Sequence, residues 1–277
     1  MDLYFIVVLI ALCTACSTAE EQGSSHLRRQ NQKGEYIYRV HNEYLFNPSA
    51  PQIAHLEPYP WEKSTVGNFP KITKEFFRCK GSSLNPVKID KQNGEVVRHY
   101  DCGGSEKHSL PLRDKKEFIY PILIDLLNYI QARAEKKVVI TSGHRCPEHN
   151  AYIDSSSTNQ HSKHMIGAEV SFYVQGMENQ PEELIKYIQD YYKTTAKHKG
   201  QKDFEEFQRY DKEAANVSIP PWCNKEIFIK LYKKKEGRNL DNRHPYPYIS
   251  IQVRYDTETQ EKVIYTWDRA IHNFLRR

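Results

Sequence analysis

The chain has no apolar run long enough to cross a bilayer as a helix. Its longest, Leu3 to Cys16, spans about fourteen residues, where about twenty are needed. Its four cysteines beyond residue 16 form no C-x-x-C pair and so show no zinc-ligand spacing, and the chain has no internal repeat. Neither sign of charge dominates: 40 Lys and Arg stand against 35 Asp and Glu, for a net charge of +5. The resulting pI of about 8.7 suits an anionic polymer or a membrane surface. It falls far short of a nucleic-acid footprint, so no nucleic-acid partner is expected.

What is present describes a globular protein. A chain of 277 residues buries a sizeable core in one or two domains, and 39% hydrophobic with 27% charged residues is ordinary for a soluble fold. Tyrosine is abundant (19) while Leu and Val are modest, which points to a half-wet, strand-rich surface.

The short apolar run is followed at once by STAEEQGSS, the pattern of an export signal. Its end, Cys13-Thr14-Ala15-Cys16-Ser17, resembles a bacterial lipobox, in which the final cysteine is lipidated after cleavage. The resemblance implies lipidation of Cys16, a membrane contact through that anchor and a place in the cell envelope. It departs from the pattern in Cys13, where Leu is usual, and in an n-region carrying Asp2 and no Lys or Arg. A plain export signal and a cytosolic chain remain the alternatives. We divide the chain into a leader (1–16), a polar tether with an irregular, proline-punctuated extension (17–72), and a domain (73–277).

Four cysteines follow the leader: Cys79, Cys102, Cys146 and Cys223. In an exported chain an even number permits disulfides, with three connectivities. Cys79 and Cys102 bracket a hairpin-like excursion and are the favoured pair, which leaves Cys146 with Cys223. Four reduced, buried thiols are the other reading.

Periodicity places the elements. FFRCKGS and VVRHYDCGG read as two short strands around Asn93-Gly94. Ile122, Leu123, Leu126, Leu127 and Ile130 recur at helical spacing within Lys115–Lys137, with Lys136 and Lys137 where the helix dipole favours cations. Val138–Thr141 and Ala168–Val174 read as strands, and Pro181 opens a second helix. Asp203–Ala215 reads as a third, more polar one. Ile227–Tyr232, Tyr248–Tyr255 and Lys262–Trp267 read as an antiparallel meander with polar turns between them, and Lys233–Lys235 as a solvated hairpin end.

The chemistry-bearing segment is Ile140–Val174. It contains SGHR at Ser142–Arg145, PEHN at Pro147–Asn150 and S-x-H-x-x-G at Ser162, His164 and Gly167. In this order and spacing the motifs resemble those of the zinc D-alanyl-D-alanine carboxypeptidases and dipeptidases, over roughly Phe77 to Trp267. The resemblance implies an α+β fold, an antiparallel sheet flanked by helices of the zinc D,D-peptidase and hedgehog type. It implies His164 as a zinc ligand, Arg145 as a holder of the substrate's terminal region, and His149 as a packing residue at a helix start. The family's second ligand, an Asp seven residues after the His, falls here on Ser171. The third, a His in a late strand, falls on Ser250, and the acidic or His position two further on is Gln252.

Zinc hydrolysis needs about three protein ligands and a water position, and a neutral serine hydroxyl is a poor ligand. The expectation is therefore a catalytically degenerate, exported domain with no cofactor. It would bind a peptidoglycan stem peptide or another envelope component through Ser142, Arg145, Ser171, Ser250 and Gln252. The alternative is a working metallopeptidase that trims D-alanyl peptides. It would hold zinc on a shifted site of His161, His164 and Glu169, with His244 as a further candidate. A structural envelope scaffold is the third reading.

Overall fold

The computed structural model describes residues 63–92, 95–153, 162–210 and 217–276, within one compact unit, Pro58–Arg277. Cys16, the lipobox-like segment, the tether, the Asn93-Gly94 turn and His161 lie outside the described residues.

The order begins with a small ribbon, β1 (Thr65–Val66) and β2 (Phe69–Pro70), and a 3-10 turn at Lys74–Phe77. A second ribbon, β3 (Lys88–Gln92) with β4 (Glu95–His99), and a third, β5 (Leu112–Arg113) with β6 (Lys116–Glu117), precede helix α1 (Pro121–Ala134). Strand β7 (Val138–Ser142) leads to α2 (Pro147–Ile153), a 3-10 turn at Lys163–Ile166, and β8 (Glu169–Val174). Then come α3 (Pro181–Thr194), α4 (Lys202–Glu205), β9 (Gln208–Arg209), β10 (Trp222–Cys223), β11 (Ile227–Tyr232) and β12 (Tyr248–Val253). Ribbon β13 (Tyr255–Asp256) with β14 (Glu261–Lys262) and helix α5 (Trp267–His272) close the chain.

Six strands form one antiparallel sheet in the order β7-β8-β12-β11-β10-β9. Side chains alternate across it, as strand geometry requires. Val170, Phe172 and Val174 of β8, Ile249, Ile251 and Val253 of β12, and Ile227, Ile229 and Leu231 of β11 are buried in the main core. Helix α1 lies across β7, β8 and β12 and packs on α3. It buries Ile122, Leu123, Leu126, Leu127 and Ile130, each worth about 1.5–3 kcal/mol on leaving water. The expected α+β architecture, an antiparallel sheet with flanking helices, is the observed one.

Four elements differ from expectation. The first is FFRCKGS, read as a strand, which runs out of the 3-10 turn Lys74–Phe77, while the strand that pairs with β4 is Lys88–Gln92. The helix read as Lys115–Lys137 spans only Pro121–Ala134. Asp114 and Lys115 turn with positive φ into β6, and Glu135 ends the helix in the left-handed region, so these polar positions never join it. The third, polar helix contracts to α4, followed at once by an edge strand. The run at Lys262–Trp267 does not extend the sheet: β14 pairs only with β13, and Trp267 opens α5 under a Thr266 cap.

Candidate functional site

The opposite face of the sheet carries the polar side chains. In β8 these are Glu169, Ser171 and Tyr173, and in β12 they are Tyr248, Ser250 and Gln252. Register sets Ser250 against Ser171 and Gln252 against Glu169. A bulge between Ile140 and Ser142 adds a residue to β7 and turns Ser142 opposite Ser171. The segment after it is pinned by backbone. The His144 N–H donates to the Phe77 carbonyl at 2.7 Å, and a Cβ on Gly143 would stand 2.6 Å from Phe77 Cα. Only glycine fits there.

His164, Ser171 and Ser250 all reach this face and all are buried, at 3%, 3% and 1% exposure. Between them lies Glu169. Its Oε1 accepts a 2.7 Å hydrogen bond from Ser250 Oγ and stands 3.6 Å from His164 Nε2. The Gln252 side chain also donates to this carboxylate. His164 Nδ1 is 2.7 Å from the Gly143 carbonyl, which only accepts, so the proton sits on Nδ1 and the Nε2 lone pair faces Glu169. Burial drives His164 down to about 4, against the pull of Glu169. Burial pushes the Glu169 carboxyl up, but His164, Ser250 and Gln252 outweigh it and hold the group below the usual carboxylate range. At neutral pH the centre is thus a carboxylate beside a neutral imidazole.

Arg145 and Ser142 belong to a neighbouring buried network. Arg145, 3% exposed, donates from Nε to Ser142 Oγ at 2.7 Å and pairs with Asp241 Oδ2 at 3.2 Å. The Ser142 hydroxyl donates to the same Asp241 oxygen at 2.9 Å. His149 bridges two carboxylates, Nδ1 to Asp101 at 2.7 Å and Nε2 to Asp241 at 3.1 Å, so both ring nitrogens are donors and the ring is an imidazolium. Burial lowers the His149 pKa, but its two carboxylate partners, Asp241 first, more than reverse this and raise it. Burial raises Asp241, yet His149, Arg145 and Ser142 together hold it at about 2.

His244 stands apart from these groups. Its ring lies 4.8 Å from that of Tyr173 and contacts Tyr246 and Tyr248, and neither nitrogen has a hydrogen-bond partner among the described residues. Burial lowers its pKa. A zinc centre at the position the motifs imply would draw on His164, Ser171, Ser250 and Glu169. These supply one imidazole and one carboxylate with two neutral hydroxyls, which falls short of three competent ligands.

The expected disulfides are not formed. All four cysteines are free thiols. Cys79 and Cys102 do meet, with sulfurs 3.9 Å apart, too far for a bond of about 2.05 Å. Cys146 joins the same buried cluster instead of pairing with Cys223, which sits on β10 beside Lys202, Asn224 and Arg254. Sequence reasoning missed three contributors: Asp241, which no motif marks; the central place of Glu169; and the meeting of three cysteines with His108.

Residues 105–208 match the family model described as Peptidase M15. No curated protein and no solved structure gives a match. The matched segment contains SGHR, PEHN, S-x-H-x-x-G and Ser171, while Ser250 and Asp241 lie beyond it. Over residues 105–208, less than half of the chain, the sequence is thus similar to the peptidase M15 family, of the zinc D-alanyl-D-alanine carboxypeptidase type.

Proposed function

We propose that this M15-type domain is a binding module of the cell envelope and no longer a metallopeptidase. We further propose that it is exported and held to a membrane by lipid on Cys16. The observation that carries the reading is Glu169: its carboxylate sits where ligands would converge, hydrogen-bonded to Ser250 and facing His164. A carboxylate held by two neutral donors satisfies the site without an ion. The ligand is a peptidoglycan stem peptide or a related envelope component, bound along the polar face that Gln252 and its neighbours present. Among the described residues no helix is long and apolar enough to cross a membrane.

One observation favours the alternative, an active peptidase on His161, His164 and Glu169, without the further candidate His244, which stands apart. The His164 tautomer leaves Nε2 able to bind a metal. Turnover separates the two. Calorimetric titration with purified muropeptides, run beside an assay for D-alanine release, is expected to show binding without release. Chelator-sensitive D-alanine release overturns the binding-module reading, and absence of both leaves only the scaffold.

A further inference from the structure

Three cysteines and one histidine from three separate segments of the chain meet in a buried cluster beside the SGHR loop. Cys79 follows the 3-10 turn Lys74–Phe77, Cys102 and His108 end the β3–β4 excursion, and Cys146 precedes α2. Their sulfur and ring-nitrogen atoms all lie within 4.8 Å of one another. All four are buried, at 6%, 8%, 4% and 0% exposure in chain order. Phe274 closes the cluster with its ring 5.6 Å from that of His108. The C-terminal tail holds Phe274 there by hydrogen bonds from Ser109 N to Leu275 O and from Leu112 N to Asn273 O.

We propose that Cys79, Cys102, Cys146 and His108 form a tetrahedral zinc site of structural type. Zn–S bonds of about 2.3 Å in a tetrahedron set sulfurs about 3.8 Å apart and a sulfur and an imidazole nitrogen about 3.6 Å apart. The observed separations are 3.9 Å for the Cys79 and Cys102 sulfurs and 3.7 Å from Cys102 Sγ to His108 Nε2. The histidine is set for the task. Its Nδ1 lies 3.1 Å from the Ser109 carbonyl and must donate to it, so the Nε2 lone pair points at the sulfurs.

The sulfurs are set for it too, because each accepts a backbone N–H. Cys79 takes that of Cys146, Cys102 that of Gly104, and Cys146 that of His149 at 3.4 Å. Such donors favour thiolate over thiol and are the usual outer partners of a metal-bound sulfur. The chain also approaches closely where it must. A Cβ at Gly81, two residues after Cys79, would collide with Cys102 Sγ.

A disulfide accounts for the cluster less well. Joining any two sulfurs leaves the third thiol and His108 without a role, and Cys79 with Cys102 would have to close by nearly half their separation. The site fits a structural ion because no ligand position is open and Phe274 covers it. Its effect would be to lock the excursion and residues 77–79 onto the loop that carries His144 and Arg145. The inference is independent of the reading of Glu169, since the two centres share no ligand.

Zinc content and cobalt substitution of the full chain, purified under reducing conditions without chelator, test it. One zinc per chain is expected, lost in Cys146→Ser and kept in His164→Ala. Cobalt is expected to produce an intense thiolate charge-transfer band with the visible bands of a tetrahedral centre. His108→Cys is expected to keep the metal and raise the charge-transfer absorbance by about a third, as four thiolates replace three. Should Cys146→Ser not fold, the cobalt spectrum of the wild-type chain decides. Zinc below about a tenth of an equivalent, a cobalt spectrum without thiolate bands, or a disulfide among the three cysteines of the isolated protein overturns the proposal. Zinc that disappears in His164→Ala overturns it too, and assigns the metal to the other centre.

Discussion

Replacing Asp241 by asparagine removes one negative charge from a buried group of four: Asp101, His149, Asp241 and Arg145. In the wild type, two anions and two cations cancel. Asp241 accepts hydrogen bonds from His149 at 3.1 Å and Ser142 at 2.9 Å and forms an ion pair with Arg145 at 3.2 Å. Asparagine keeps the shape but turns one acceptor into a donor facing donors, and leaves Arg145 with no carboxylate partner. Removing one member of a buried ion pair costs about 3–5 kcal/mol. In a domain of this size that lowers Tm by about 6–20 °C, at about 2–4 °C per kcal/mol.

The pH dependence carries its own sign. His149 is raised in the folded state, so its contribution is complete below the unfolded histidine value and is lost as pH rises through the raised one. Asp241 is depressed, so its contribution is complete above the unfolded aspartate value and is lost as pH falls through about 2. Thermal melts followed by circular dichroism across pH 2 to 10 read both effects. Asp241→Asn is expected to shift the alkaline loss to lower pH, because the partner that most raises His149 is gone. A variant within about 2 °C of wild type at neutral pH, with an unchanged alkaline limb, refutes the network as a source of stability.

Other perturbations test neighbouring parts of the structure. His144 and His164 are buried and depressed to about 3 and about 4, so the unfolded chain binds protons that the folded chain refuses. Stability should therefore fall as pH drops from about 6.5 toward 4, and His144→Phe should flatten that limb in acid unfolding curves. Gly143→Ala should fail to fold or melt far below wild type, because its Cβ meets the Phe77 backbone, which cannot rotate away. The combined variant Glu169→Ala, Ser171→Asp, Ser250→His removes the central carboxylate and installs an acid and an imidazole beside His164. It should bind one zinc more than wild type by metal analysis; an unchanged zinc count would mean that the three positions do not converge as described.

Much of this architecture is legible because alternation is a local signal. In Glu169–Val174 every second residue is apolar, and that pattern alone assigns Val170, Phe172 and Val174 to the core and Glu169 and Ser171 to the polar face. The spacing of Leu123, Leu126, Leu127 and Ile130 does the same for α1. The meeting of Ser171 with Ser250 depends on register between strands some eighty residues apart, which hydrophobicity constrains and a family motif locates. Asp241 lies in a loop with no periodicity, and its role arises only from where that loop folds back over His149. The cysteines show why spacing misleads: Cys79, Cys102 and Cys146 are separated by 23 and 44 residues, and their ligand geometry exists only after the excursion docks on α2. That docking is visible in the bonds from Lys88 to the Ile153 carbonyl and from Tyr152 to the Pro86 carbonyl.

The central claim is that Glu169 has taken the place of a metal beside His164. Crystals grown with zinc and measured on both sides of the zinc absorption edge address it directly. The account predicts an anomalous peak among Cys79, Cys102, Cys146 and His108, and none between His164 and Glu169. A peak within bonding distance of His164 Nε2 and Glu169 Oε1 would contradict it.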